Sequence, residues 1–294
     1  MIRTPDSQFA GLPDFEFEPR YTEWEGMRLH HLDEGVGPVV VLFHGEPTWS
    51  FLYRRIIPLL VTAGYRVIAP DYPGFGRSDK PTDPSFYTYD RMVQSMVDLC
   101  DALDLDDATA VVQDWGGPIG LRTAVERTDR FRRLVILNTG LYSAPGRVTP
   151  AFEAWRSFVE QTPDLPVGLI MQNAAGREWE PNVLAGYEAP FPSQDHKVGA
   201  WRLPLIVPLD DDDPGAAEML AVREALGSWT EPVLVLFSDQ DPIFVPRVGE
   251  RFAQSIPGAG PVEIIVGAGH FLQEDAPDEV ANAIIAFLNR TQVR

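Results

Sequence analysis

The chain has 294 residues, of which 45% are hydrophobic, enough to bury a full α/β core and a subsidiary lobe. Its formal charge of −19 excludes nucleic acid and anionic membrane surfaces as partners, because both carry phosphate charge that such a protein repels. A single cysteine, no apolar start resembling a signal peptide and no apolar run of about 18 residues argue for a soluble cytoplasmic protein, expected as a monomer.

Residues 1–20, rich in Pro, Asp and Phe, read as an irregular lead-in. Residues 21–31 and 39–43 read as strands, separated by a turn at 33–38. Val39-Val40-Val41-Leu42-Phe43 is apolar on both faces, as in a strand covered by helices on each side of a parallel sheet. It runs into His44-Gly45-Glu46-Pro47-Thr48-Trp49-Ser50. A glycine here lets the backbone turn closely, so that the following N–H, that of Glu46, points into a site at the carboxyl ends of the strands. His44 lies too early in the motif to act as a base and is expected to hold the loop. The Glu46 carboxyl is expected to face the pocket and position a water.

A helix over 51–63, a strand over 65–70, a turn cluster over 71–79 and a helix over 89–103 follow. Apolar residues at helical spacing around Cys100 make it a small core residue. Then comes Val111-Val112-Gln113-Asp114-Trp115-Gly116-Gly117-Pro118, an apolar strand entering a glycine-rich turn and a helix. In hydrolases with G-x-S-x-G, such an elbow exposes a nucleophile and aims the next backbone N–H at the reacting oxygen. Asp114 stands at the nucleophile position, so attack on a carbon bearing a leaving group gives an aspartyl ester. The N–H groups of Glu46 and Trp115 are the expected oxyanion donors.

A strand over 134–138 is followed by a change of periodicity. Residues 140–228 carry helix-like patches, many prolines and Trp155, Trp179 and Trp201, with Trp229 at the end. This reads as a helical lid inserted into a core formed by 1–139 and 229–294. The run Asp210-Asp211-Asp212-Asp213 lacks the alternating frame of a calcium loop and reads as a solvated turn. No clustered His/Cys metal site and no dinucleotide fingerprint are present, so neither metal nor cofactor is implied.

The sheet resumes over 232–237 and 262–266, and a helix over 277–288 closes the domain. The late strands end in Ser238-Asp239-Gln240-Asp241-Pro242 and Gly267-Ala268-Gly269-His270-Phe271. His270 titrates near neutrality and suits the base; Asp241, preferred to Asp239, suits the acid on its far nitrogen. The order nucleophile, acid, histidine is that of α/β-hydrolases. The implied fold is a doubly wound, mostly parallel α/β-hydrolase sheet with an inserted cap.

The leaving group decides the enzyme. A halide needs weak, uncharged donors such as indole N–H groups, whereas an epoxide oxygen needs a proton from lid tyrosines. His44–Ser50, Gln113–Gly117, Tyr187-Glu188-Ala189-Pro190-Phe191-Pro192 and Gly269-His270-Phe271-Leu272-Gln273-Glu274 resemble the signatures of haloalkane dehalogenases over nearly the whole chain. Glu46 stands where one branch of that family has Asn, and the sequence is similar to the branch with two tryptophan halide donors. The resemblance implies Asp114 as nucleophile, His270 as base, Asp241 as acid, and Trp115 with a lid tryptophan as halide donors. Trp155 is the choice for the latter and Trp179 the reserve. Phe152 and Phe191 are expected to line the pocket. The implied partners are a small haloalkane, water and halide. An epoxide hydrolase is the closest rival, disfavoured by a lid offering only Tyr142 and Tyr187; a catalytically silent scaffold is the remoter one.

Overall fold

The computed structural model describes residues 1–142, 144–146 and 148–291. Eight strands form one sheet: β1 Arg20–Trp24, β2 Met27–Glu34, β3 Val39–Phe43, β4 Arg66–Pro70, β5 Ala108–Gln113, β6 Phe131–Leu137, β7 Val233–Ser238 and β8 Glu263–Ile265. Their order is β1-β2-β4-β3-β5-β6-β7-β8. The first two strands run antiparallel to their neighbours, and every pairing from β4 through β8 is parallel. β3, β5 and β7 are buried along their whole length, which is why their sequences show no polar alternation.

From β3 the chain crosses to β4 on one side and then to β5 on the other. The loops after β3 and β5 therefore open a crevice at the switch point, where open α/β sheets bind ligands. Between β6 and β7 lie helices Pro150–Gln161, Val167–Ala174, Pro181–Glu188, Val198–Leu205 and Ala216–Leu226, and no strand among the described residues. No helix among the described residues is long and apolar enough to cross a membrane. Cys100 is buried, and burial pushes its thiol up to about 12.

Two elements differ from the sequence reading. Residues 21–31 are not one strand but a hairpin, because Glu25 and Gly26 both take positive φ (49° and 76°) and fold the chain back. The helix read over 51–63 splits into a 3₁₀ turn Ser50–Tyr53 and an α-helix Ile57–Thr62. Pro58 occupies the first turn of the latter, where its missing N–H costs nothing; deeper in a longer helix it would clash with the preceding turn. The lead-in is also more ordered than its composition implies: Phe9 and Phe15 pack edge-on against Trp49 at 5.3 and 4.9 Å.

Candidate active site

Asp114 follows β5 with φ of 49°, a left-handed conformation that a residue with a Cβ adopts only at a cost of about 1–3 kcal/mol. Three hydrogen bonds hold it there. Its N–H donates to the Asn138 carbonyl at 3.0 Å, and its own carbonyl accepts from Gly117 N–H at 2.8 Å and Thr139 Oγ1 at 2.6 Å. The carboxylate is thereby lifted toward the loop after β3. A Cβ on Gly45 would lie 2.4 Å from Asp114 Cβ, so that loop can approach only with glycine there. The approach brings Glu46 N–H to 2.7 Å from Asp114 Oδ1. The Trp115 N–H, the second donor expected, makes no bond to that carboxylate among the described residues.

On the other side His270 Nε2 lies 3.6 Å from Asp114 Oδ2, and its Nδ1 lies 2.8 Å from Asp241 Oδ2. Asp241 is itself fixed by N–H donors from Ile243 (2.7 Å) and Phe244 (3.0 Å). Burial alone would raise its carboxyl, but the charge and hydrogen bond of His270 and these two N–H groups hold it below the usual range. Asp239, the competing carboxylate, is exposed and accepts Gly267 N–H at 2.7 Å, a turn bond within its own loops. For His270, burial favours the neutral ring, but the flanking charges of Asp241 and Asp114 outweigh it and raise the imidazole to about 10. The Gln113 amide nitrogen lies 3.2 Å from both His270 Nε2 and the His270 carbonyl.

His44 carries no catalytic geometry. It is fully buried, donates from Nδ1 to the Gly45 carbonyl (2.8 Å), accepts Tyr72 N–H at Nε2 (3.3 Å), and is pulled down to about 4 chiefly by burial. The Glu46 carboxyl does face the site. Burial first, and then the nearby Asp114 charge, raise it well above the usual carboxylate range, and its Oε1 finds no protein partner among the described residues.

These groups open onto a cavity of about 840 Å³ whose walls include Glu46, Asp114, Trp115, Phe152, Trp155 and His270. Trp115 and Trp155 both line it, and neither indole N–H donates to a protein acceptor among the described residues. Trp179 is absent from the lining. Its indole N–H donates to Asp275 Oδ1 at 2.8 Å, and its ring stacks on Tyr187 at 5.6 Å. Phe191 likewise departs from expectation. It sits edge-on to Phe75 at 6.3 Å and borders a separate cleft. Of the two lid tyrosines, Tyr142 donates a hydrogen bond from its hydroxyl to Asp211 Oδ1 at 2.8 Å and Tyr187, wholly buried, donates one to Glu274 Oε2 at 2.8 Å. Both hydroxyls are thus bonded to carboxylates, Tyr142 at the cavity wall and Tyr187 away from it.

A family model described as alpha/beta hydrolase fold matches residues 38–176 and 205–277. A haloalkane dehalogenase of Mycobacterium marinum is 44% identical over 98% of this chain and 99% of its own. Another from Psychrobacter cryohalolentis is 43% identical, covering 98% of each chain. Among solved structures, the tetrameric haloalkane dehalogenase DpaA of Paraglaciecola agarilytica superposes with a TM-score of 0.89 at 34% identity over 96% of both chains.

The chain belongs to the haloalkane dehalogenases.

Within that family the site contains supporting residues that the sequence reading passed over. Asn138, at the carboxyl end of β6, donates from Nδ2 to the carbonyls of Gly269 (3.1 Å) and His270 (3.2 Å) and to Ser238 Oγ (2.7 Å). Its position was the available signal: an amide that ends an otherwise apolar strand faces the catalytic edge of the sheet. Phe244 stacks on the His270 ring at 5.8 Å, where nothing in its sequence context distinguishes it from an ordinary loop aromatic.

Proposed function

We propose that this haloalkane dehalogenase hydrolyses small haloalkanes to alcohol, halide and a proton through an ester on Asp114. Asp114 Oδ2 attacks the carbon bearing the halogen, and the bonding pair leaves with the halide. The indole N–H groups of Trp115 and Trp155 stabilise the departing anion without supplying a charge that would trap it. Water then attacks the ester carbonyl carbon and gives a proton to His270 Nε2, while Asp241 stabilises the imidazolium. The oxyanion forms on Oδ1, the oxygen already bonded to Glu46 N–H. On collapse the alkoxide takes the proton from His270 and leaves as the alcohol, and the restored Asp114 carboxyl sheds its own proton to solvent.

The observation that carries this reading is the line Asp114–His270–Asp241 opening onto a cavity that two uncommitted indoles also line. Its order of events also accounts for the His270 protonation state. Esterification removes the Asp114 charge, one of the two charges that raise the imidazole, so the ring becomes able to accept a proton when the second half-reaction needs it. The Glu46 carboxyl, whose charged form burial disfavours, faces the attacking water and can hydrogen-bond it. Bromide release from 1,2-dibromoethane or 1-bromobutane, abolished in Asp114→Ala, tests the assignment; diol formation from styrene oxide without bromide release would replace it with epoxide hydrolysis.

We further infer a monomer working in the cytoplasm. The charge of −19 supports the monomer, since copies of such a surface repel one another. Sedimentation separates this from a tetramer of the DpaA kind.

A further inference from the structure

The loop that carries His270 is held by lid residues as well as by the sheet. His270 N–H donates to the carbonyl of Ala174, at the end of the lid helix Val167–Ala174, at 2.8 Å. A Cβ on Gly176 would come within 2.6 Å of Gly267 O and Gly269 N, and one on Gly269 within 2.5 Å of Ala174 O and Gly176 N. The two strands of backbone therefore touch directly, with no side chain between them. Asp275 clasps both. Its Oδ2 accepts Gly269 N–H at 2.8 Å and Gly176 N–H at 2.7 Å, and its Oδ1 accepts the Trp179 indole N–H at 2.8 Å. The carboxylate is 2% exposed, and Arg177 Nε lies 3.8 Å from Oδ1. One buried carboxylate thus receives one donor from the residue before the base and two from the lid.

We propose that Asp275 is a positioning residue: by clasping lid segment 174–179 to the His270 loop it sets the rate of ester hydrolysis and leaves carbon–halogen cleavage nearly untouched. The inference rests on the proposed roles of Asp114 and His270. Cleavage needs Asp114, whose placement comes from β5, Asn138, Gly117 and Thr139; none of these bonds Asp275, and where Gln113 and Asn138 meet the His270 loop they do so from the sheet, opposite the lid. Hydrolysis needs His270 Nε2 within reach of a water over the ester carbonyl, and a displacement of about 1 Å there can cost up to 100-fold.

Asp275→Asn isolates the effect. Its amide oxygen can still accept from Gly269 and Gly176, but its NH₂ then faces the Trp179 N–H, donor against donor. Asp275→Asn/Trp179→Phe removes that conflict while keeping a ring on Tyr187. With 1,2-dibromoethane in rapid-quench experiments, Asp275→Asn should give a bromide burst of about one equivalent at the wild-type rate. A steady-state phase slowed about 10- to 100-fold should follow, with the alkyl-enzyme visible by intact mass spectrometry. The double variant should recover the steady-state rate as far as that of Trp179→Phe alone, since both keep the bonds to Gly269 and Gly176 and both lose the one from Trp179. Equal slowing of burst and steady state, an unchanged steady state, or no recovery in the double variant overturns the proposal. If Asp275→Asn does not fold, the same burst analysis on Trp179→Phe decides: a slower steady state with an intact burst supports the clasp, and an unchanged steady state overturns it. Wild-type enzyme that releases no bromide would instead defeat the underlying assignment of Asp114 and His270, an outcome these variants do not mimic.

Discussion

Trp155 and Trp179 are chemically identical donors in the same lid, and replacing each by phenylalanine separates them. Phenylalanine keeps the ring and removes only the N–H. At position 155 the lost bond is one to a halide that carries nearly full charge as it leaves, and a hydrogen bond to a charged group contributes about 1.5–3 kcal/mol. At about 1.36 kcal/mol per tenfold, Trp155→Phe should lower kcat/KM for 1,2-dibromoethane about 10- to 150-fold. Because Trp155 is only half-buried, solvent competes for the anion and the lower half of that range is expected. Bromide affinity, followed by quenching of tryptophan fluorescence, should weaken in parallel. Trp179→Phe removes a donor already given to Asp275, so halide affinity should hold while the lid loosens. A Trp155→Phe enzyme whose bromide Kd stays within about twofold of wild type, beside a Trp179→Phe enzyme in which it weakens about tenfold or more, would refute the assignment.

Other consequences follow from the same geometry. Glu46→Gln, a neutral replacement for a carboxyl whose charged form burial disfavours, should cost under about tenfold in ester hydrolysis; a loss comparable to His270→Gln would show that the charged form acts. The decay of isolated alkyl-enzyme should accelerate as pH rises through the His270 pKa, since the neutral ring is the base. Because the ester has lost the Asp114 charge, that midpoint should lie below the value of about 10 that both carboxylates sustain, and a midpoint at or above it in quenched-flow mass spectrometry refutes the coupling. Gly176→Ala forces a Cβ to within 2.6 Å of backbone atoms that cannot move aside. It should destabilise by about 1–3 kcal/mol, read as a lower urea midpoint at unchanged slope.

The fold was legible because its signals are local. Fully apolar five- and six-residue runs announced the inner strands, and each ended in a polar or glycine-rich turn that the sheet places at one edge. The same logic pointed to Asp114, Asp241 and His270: Asp114 directly follows the inner strand β5, and Asp241 and His270 stand on the loops after β7 and the edge strand β8, so parallel strands bring all three to one end of the sheet. Where the reading slipped, a single residue broke a pattern that was otherwise continuous. Gly26 sits inside an alternating run that scores as strand, and Pro58 inside an apolar run that scores as helix; only the positive φ of the hairpin and the helix start at 57 show that each is a boundary.

The lid was less legible for a different reason. Its side chains take their roles from partners about a hundred residues away, and local sequence says nothing of such partners. Trp179 is occupied because Asp275, 96 positions later, accepts its N–H, whereas Phe191 leaves the pocket because it packs on Phe75. The segment after His270 contained half of that information. Read as part of a family signature, Glu274 marks the base; in the fold it joins Arg54 and Tyr187 in a buried ion pair and hydrogen bond, and Asp275 beside it ties Trp179 and Gly176 to Gly269. Both carboxylates lie within five residues of the base and both reach across to the lid. The chain therefore places His270, the proposed base, and the lid's anchors on one short stretch of backbone. A lid substitution that strains Glu274 or Asp275 should accordingly appear first as slow ester hydrolysis, before any change in which haloalkane is accepted.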